Sequence, residues 1–242
     1  MSRVKPPSFG LLVRELPWLP VIAASQFRSA KMVELDFKLE GDPPPVMVIP
    51  GLLSNDGTTS LLRRTLAASG FPTYPSGFGF LTGVTAERLE RGRIGLEQMH
   101  ERHGGPVVIV GWSLGGIYAR VLAQRHPELV KMVVTLGTPF SGDRQANNAW
   151  RIYNALNDHT VTKPNLPDDP SVKPPVHTVA IWSHKDGIIA PGCASGKGDE
   201  RDAEHQVNIP HLAFGSGRVA AQRIAQIIAL ELAECRDGTV TD

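Results

Sequence analysis

Apolar positions along the chain follow two patterns. Short apolar runs at Val46–Ile49 and Val107–Val110, and the MVVTL stretch within Leu129–Leu136, read as strands buried on both faces. Val176–Trp182 is a further strand, Val207–Ile209 a short one, and Phe71–Tyr74 is extended. Between them, apolar residues recur three and four apart, the spacing of a helix with one buried face. Thr85–His103 does this through Leu89, Ile94, Leu96 and Met99, and Gly217–Glu234 through Val219, Ile224, Ile227, Ile228 and Leu232. Thr59–Ser69, with Asp56 as its cap, and Leu114–His126 are also predicted helices. Alternation over Met32–Phe37 suggests an edge strand.

Strands that alternate with helices predict an α/β fold: a mostly parallel sheet with helices on both faces. The 242 residues suit one such domain. Ser141–Pro175 breaks the rhythm with a polar, proline-rich insertion, in which Asn147–Leu156 is a predicted helix. Reactive groups in parallel sheets sit beyond the carboxyl ends of the strands. Those places are Pro50-Gly51-Leu52, Gly111-Trp112-Ser113, Gly137-Thr138-Pro139 and Ser183–Asp186.

Gly111-Trp112-Ser113-Leu114-Gly115 matches G-x-S-x-G at one of these places. With 24 glycines in the chain, a match somewhere has a chance rate of about one in ten, so context decides. A serine hydroxyl is a weak nucleophile that must project toward a base. A tight strand-to-helix turn projects it, and glycines two positions to either side let strand and helix pass closely. Gly116 most simply eases helix packing.

These residues resemble the α/β-hydrolase superfamily, in particular bacterial lipases and esterases. The likeness runs from about Val46 to Leu232 and includes VIPGLLSND, VGWSLGGIYAR, HPELV followed by VVTLGTPFSGD, and WSHKDGII. It implies the order nucleophile, acid, base. Ser113 is the expected nucleophile. Asp186, just past the Val176–Trp182 strand, is the expected acid, although a turn aspartate before Gly187 has an ordinary explanation. His211 is the expected base, with His205 as the alternative and His184 as a candidate outer partner. Leu114 and Leu52 are the expected backbone donors for an oxyanion; Pro50 has no N–H to give. The resemblance also implies that residues 141–175 cover the site as a small lid. Trp112, Trp150 and Tyr153 are candidate substrate contacts. Trp150, Ile152, Tyr153 and Leu156 equally suit a role in anchoring the lid. The implied chemistry is ester cleavage through an acyl-enzyme on apolar acyl substrates. The alternatives are acyl transfer by the same triad and a non-catalytic binding protein.

Composition narrows the partners. A formal net charge of +1 gives no reason to expect nucleic acid. A small-molecule or lipid ester is the expected partner, with no cofactor and no metal. His184, Cys193, His205 and His211 are too irregularly spaced for a metal site, and Cys193 and Cys235 are too few for a disulfide framework. Gly215-Ser216-Gly217-Arg218-Val219-Ala220 mimics a dinucleotide loop but lacks the strand and acidic residue that must follow. Pro17 and Pro20 interrupt the apolar stretch Leu16–Ala24, and Arg14 and Glu15 precede it, which argues against a signal peptide and for a cytoplasmic location. Residues 1–30 are expected to pack on the domain. Peripheral membrane contact through Phe9, Leu11, Leu12, Trp18 and Leu19 is the other reading. Nothing in the pattern specifies an oligomeric state.

Overall fold

The computed structural model describes residues 4–25 and 42–237. Two short helices, α1 (Phe9–Val13) and α2 (Leu19–Ser25), open the chain, joined by a 3-10 turn at Leu16–Trp18. Then come β1 (Val46–Ile49), α3 (Ser60–Ala68), β2 (Thr73–Pro75), α4 (Ala86–His103), β3 (Val107–Trp112) and α5 (Leu114–Arg125). β4 (Val130–Leu136), α6 (Trp150–Leu156), β5 (His177–Ser183) and α7 (Pro191–Ser195) follow. β6 (Ala203–Val207), α8 (Ala213–Ser216) and α9 (Arg218–Asp237) end the described chain. The predicted edge strand at Met32–Phe37 lies outside the described residues.

The strands form one six-stranded sheet in the order β2-β1-β3-β4-β5-β6. Every pairing between these strands is parallel. Strands β1 and β3 are buried throughout, as their unbroken apolar sequences require. Alternation divides β3 between two cores. Val108, Val110 and Trp112 pack with α3 and α9, while Val107 and Ile109 pack with α4 and α5.

Helix α4 illustrates local control. Thr85 accepts a hydrogen bond from the Arg88 N–H at its start, and Gly104, at φ 67°, takes the left-handed conformation that ends it.

One cap and two element positions differ in substance from those the sequence suggests. Asp56 does not cap α3: its carboxylate accepts hydrogen bonds from Ser76 N, Ser76 Oγ and Gly77 N, holding a distant loop. The helix expected from Asn147 begins at Trp150, because Asn147 bridges to Ile189 and the Asn148 N–H donates to Ile188 O. The last strand lies earlier than expected, at Ala203–Val207, paired with Val179–Ser183. Its alternating burial gives an edge strand a weak apolar signal, and the adjacent VNI run drew the expectation instead.

The N-terminal segment packs on the domain through Glu15 and Ile22, both buried. Phe9, Leu16 and Leu19 remain exposed.

Candidate active site

Ser113 sits between β3 and α5 at φ 53° and ψ −117°. A side chain at positive φ is strained, and here the surroundings enforce it. A Cβ on Gly111 would run into the backbone of Gly115 and Gly116, and one on Gly115 into the carbonyls of Ile49 and Pro50. Gly116 likewise makes room for Thr138, which follows β4. The Ser113 N–H donates to Leu136 O at 2.8 Å, so the turn is also tied to β4.

Asp186 lies beyond β5 and is buried. Its Oδ1 accepts from the N–H groups of Ile188 and Ile189 at 2.8 and 2.7 Å. This leaves Oδ2 for His211 Nδ1, at 2.7 Å. With Nδ1 engaged, Nε2 is the ring nitrogen left to meet a serine. Burial pushes the His211 ring toward its neutral form. The Asp186 charge, the hydrogen bond to Asp186 and the Glu15 charge outweigh that and raise its pKa above the ordinary 6.5.

Gly137, at φ 53°, ends β4 and lies against this pair: a Cβ there would stand 3.0 Å from Asp186 Oδ2 and 3.1 Å from His211 Nδ1. The sequence marks Gly137 only as one of the positions just past a strand; the close approach that requires a glycine there comes from the two loops that meet against it. Leu53 was missed. Its φ of 56° shapes the loop after β1, and its N–H is held by Leu81 O at 2.7 Å.

A cavity of about 380 Å³ opens at Ser113. Leu52 and Leu114, the residues expected to offer oxyanion donors, line it with Ser113. Ile117, Val121 and Phe140 form an apolar wall from the body of the domain. Residues of the 141–175 insertion also line the cavity, with Trp150, Tyr153 and Leu166 among them. Tyr153 is anchored there by its hydroxyl, 2.9 Å from His159 Nε2 and 3.4 Å from the Val84 N–H. Charged residues that line the cavity are paired: Asp168 with Arg125 at 2.5 Å, Arg144 with Asp169 at 3.7 Å and Lys197 with Glu200 at 3.5 Å.

Trp112 does not reach this cavity, which corrects its expected role as a substrate contact. The strand alternation that exposes Ser113 to the cavity turns Trp112 to the opposite core, with Val108 and Val110. There its indole N–H donates to His211 O at 3.2 Å, and Gly51 and Gly215 pack against its ring. Gly215 thus serves close packing, and α8 and α9 follow it rather than a nucleotide-binding strand.

The alternative histidines stand elsewhere. His205 Nε2 is 2.5 Å from Glu231 Oε1, and His177 Nε2 is 2.7 Å from Glu231 Oε2, at the sheet's edge. His184 is exposed and stacks edge-on against Trp182, with ring centroids 4.7 Å apart. Cys193 and Cys235 are free thiols, and no metal-binding cluster occurs among the described residues. No described helix is long and apolar enough to cross a membrane.

One more buried charge shapes the cavity. Arg120, on α5, is fully buried, with its guanidinium 4.1 Å from the centre of the Phe140 ring. It donates to the carbonyls of Pro170, Ser171, Val172 and Glu200, pinning the end of the insertion to the body. Burial lowers its pKa to about 10, against the opposing charges of Glu200 and Asp169.

A parallel sheet with a strained serine turn after its third strand, and a buried Asp–His pair on the loops after the last two, defines a hydrolase-type architecture. The chain has the α/β-hydrolase fold, and residues 96–169 match the family model described by that name. A metagenome-derived lipolytic enzyme superposes with a TM-score of 0.57 at 13% identity, over 78% of this chain and 94% of that one. The monoacylglycerol lipase of Paleococcus ferrophilus superposes with a TM-score of 0.51 at 14% identity, over 81% of this chain and 97% of that one. In sequence, 52 residues are 38% identical to the lysosomal phospholipase A and acyltransferase of Mus musculus, covering 19% of this chain and 13% of that protein. The human counterpart is 36% identical over 52 residues, again 13% of its length.

Proposed function

We propose that the protein is a serine hydrolase of carboxylic esters with apolar acyl groups. The observation that carries this reading is that Ser113, Leu52 and Leu114 line one cavity that has an apolar wall, with the His211–Asp186 pair at 2.7 Å beside the end of β4.

In this reading Ser113 Oγ attacks the ester carbonyl while His211 Nε2 takes its proton. The carbonyl oxygen becomes negative and is met by the N–H groups of Leu52 and Leu114, the latter at the start of α5. Asp186 keeps the ring in the tautomer that leaves Nε2 free and stabilises the imidazolium. The imidazolium proton passes to the leaving alcohol as its C–O bond breaks, giving an acyl-Ser113. Water then attacks, giving its proton to His211. Collapse of the second tetrahedral intermediate returns that proton to Ser113 and frees the acid.

An acyltransferase uses the same steps with an alcohol in place of water. The named activities of the mouse and human relatives support keeping this second reading.

Active-site labelling tests the proposal. A fluorophosphonate probe is expected to label the wild type and not Ser113→Ala. Equal labelling of the two, together with no ester turnover, overturns the hydrolase reading. Adding a competing alcohol to a working assay separates the two acceptors: acid as the product indicates water, and a new ester indicates transfer.

A further inference from the structure

We propose that Glu15 is a positioning residue for the base, tying the loop that carries His211 to the loop that carries Asp186. This rests on the serine-hydrolase reading above. Glu15 lies in the N-terminal segment, far from both loops in sequence, and is only 2% exposed. Its Oε1 accepts from the Gly187 N–H at 2.8 Å and from the His211 N–H at 2.7 Å. Its Oε2 accepts from the Leu212 N–H at 2.9 Å. One carboxylate therefore grips the peptide directly after the acid and the two peptides that flank the base, one on each side of the His211 Cα.

A buried carboxylate is costly unless strong donors compensate it, and these backbone N–H groups are such donors. The neighbouring residues accommodate this approach. A Cβ on Gly187 would collide with Leu11 O and stand 2.9 Å from Glu15 Cγ, so the close packing requires glycine there. Asn148 adds a second strap, donating to Pro7 O at 3.1 Å and to Gly187 O at 2.8 Å. The carboxylates whose charge faces the His211 ring are Asp186 and Glu15. The ring must hold a proton once Ser113 has given it up, so a second negative charge beside it favours that state.

The test compares the wild type with Glu15→Gln and Glu15→Asp. Hydrolysis of p-nitrophenyl butyrate across pH gives kcat and KM, and NMR titration of the imidazole follows His211 without requiring turnover. Glu15→Gln is expected to lower kcat about tenfold or more, since small misplacements of catalytic groups are costly, with KM within about twofold. It is also expected to move the His211 titration to lower pH, because a negative charge is gone. Glu15→Asp keeps the charge and is expected to hold the titration near that of the wild type, while its shorter reach still lowers kcat.

A folded Glu15→Gln with wild-type kcat and an unmoved His211 titration overturns the proposal, as does a change confined to KM or to thermal stability. Should Glu15→Gln fail to fold, Glu15→Asp decides: wild-type kcat there overturns positioning. If the wild type shows neither turnover nor fluorophosphonate labelling, the hydrolase reading fails, and the His211 titrations still report whether Glu15 acts on the ring.

Discussion

Asp186 Oδ2 and His211 Nδ1 stand 2.7 Å apart, both side chains almost fully buried, although 25 positions separate them in the chain. The other Asp186 oxygen is fixed by two backbone N–H groups, so the carboxylate has one orientation to offer. Asp186→Asn can keep those two bonds through its carbonyl oxygen and turn its NH₂ toward His211. The ring would then accept at Nδ1 and carry its proton on Nε2, the wrong tautomer for taking one from Ser113. A fall of about 10⁴ in kcat is expected, with little change in KM, measured on p-nitrophenyl esters.

The raised pKa of His211 predicts the pH dependence of both activity and stability. Catalysis needs the neutral ring, so kcat/KM should rise with pH along a limb whose midpoint lies above 6.5, the ordinary histidine value. The stability effect has the opposite sign. A histidine whose folded pKa is raised contributes stability fully below its unfolded value, and loses it as pH rises through the folded value. A pH–rate profile and denaturation midpoints over the same range should therefore slope in opposite directions. An activity limb centred below 6.5 would contradict this environment for the ring.

The insertion wall should set acyl preference. Trp150 lines the cavity together with Ile117 and Val121. Trp150→Ala removes apolar contact that only longer chains reach. An approximately tenfold loss in kcat/KM for octanoate esters is expected, with acetate esters nearly unchanged, in a panel of acyl lengths. An equal loss at every length would mean that Trp150 holds the insertion in place rather than touching substrate.

Arg120 and Arg125 lie on the same helix and both reach the insertion, yet they should differ in energetic weight. Arg120 is buried and satisfies four carbonyls, whereas Arg125 meets Asp168 at the surface. Arg120→Met leaves those acceptors without a donor, at an expected cost of about 2–4 kcal/mol in urea denaturation. Arg125→Ala removes a partly solvated pair and should cost about 1 kcal/mol or less.

The parts of the site legible in the chain are those whose signal is local. Gly111, Ser113 and Gly115 announce a strained turn because the glycines that permit it must sit two positions away. β3 and α5 are legible on either side because buried runs and helical spacing are written in neighbouring residues. Asp186 and His211 could be expected only from a family likeness in their order, since nothing in SHKDGI or PHLAF says that the two meet. Adjacency to Ser113 suggests a shared environment for Trp112, whereas strand alternation sends neighbours to opposite faces. Strand β6 is hard to place from sequence because an edge strand needs only half its residues buried.

Local covalent geometry and apolar spacing thus specify the strands, the helices and the turn at Ser113, for these depend on residues within one or two turns of each other. The tertiary structure alone decides which loops face one another. It joins the acid to the base, gives Gly137 its place beside both, and brings Glu15 from the N-terminal segment onto three backbone N–H groups of their loops. The physical reason lies in the donors. An N–H left unpaired by an irregular loop has no sequence signature, and a carboxylate that satisfies it can come from anywhere in the chain that packing brings within about 3 Å.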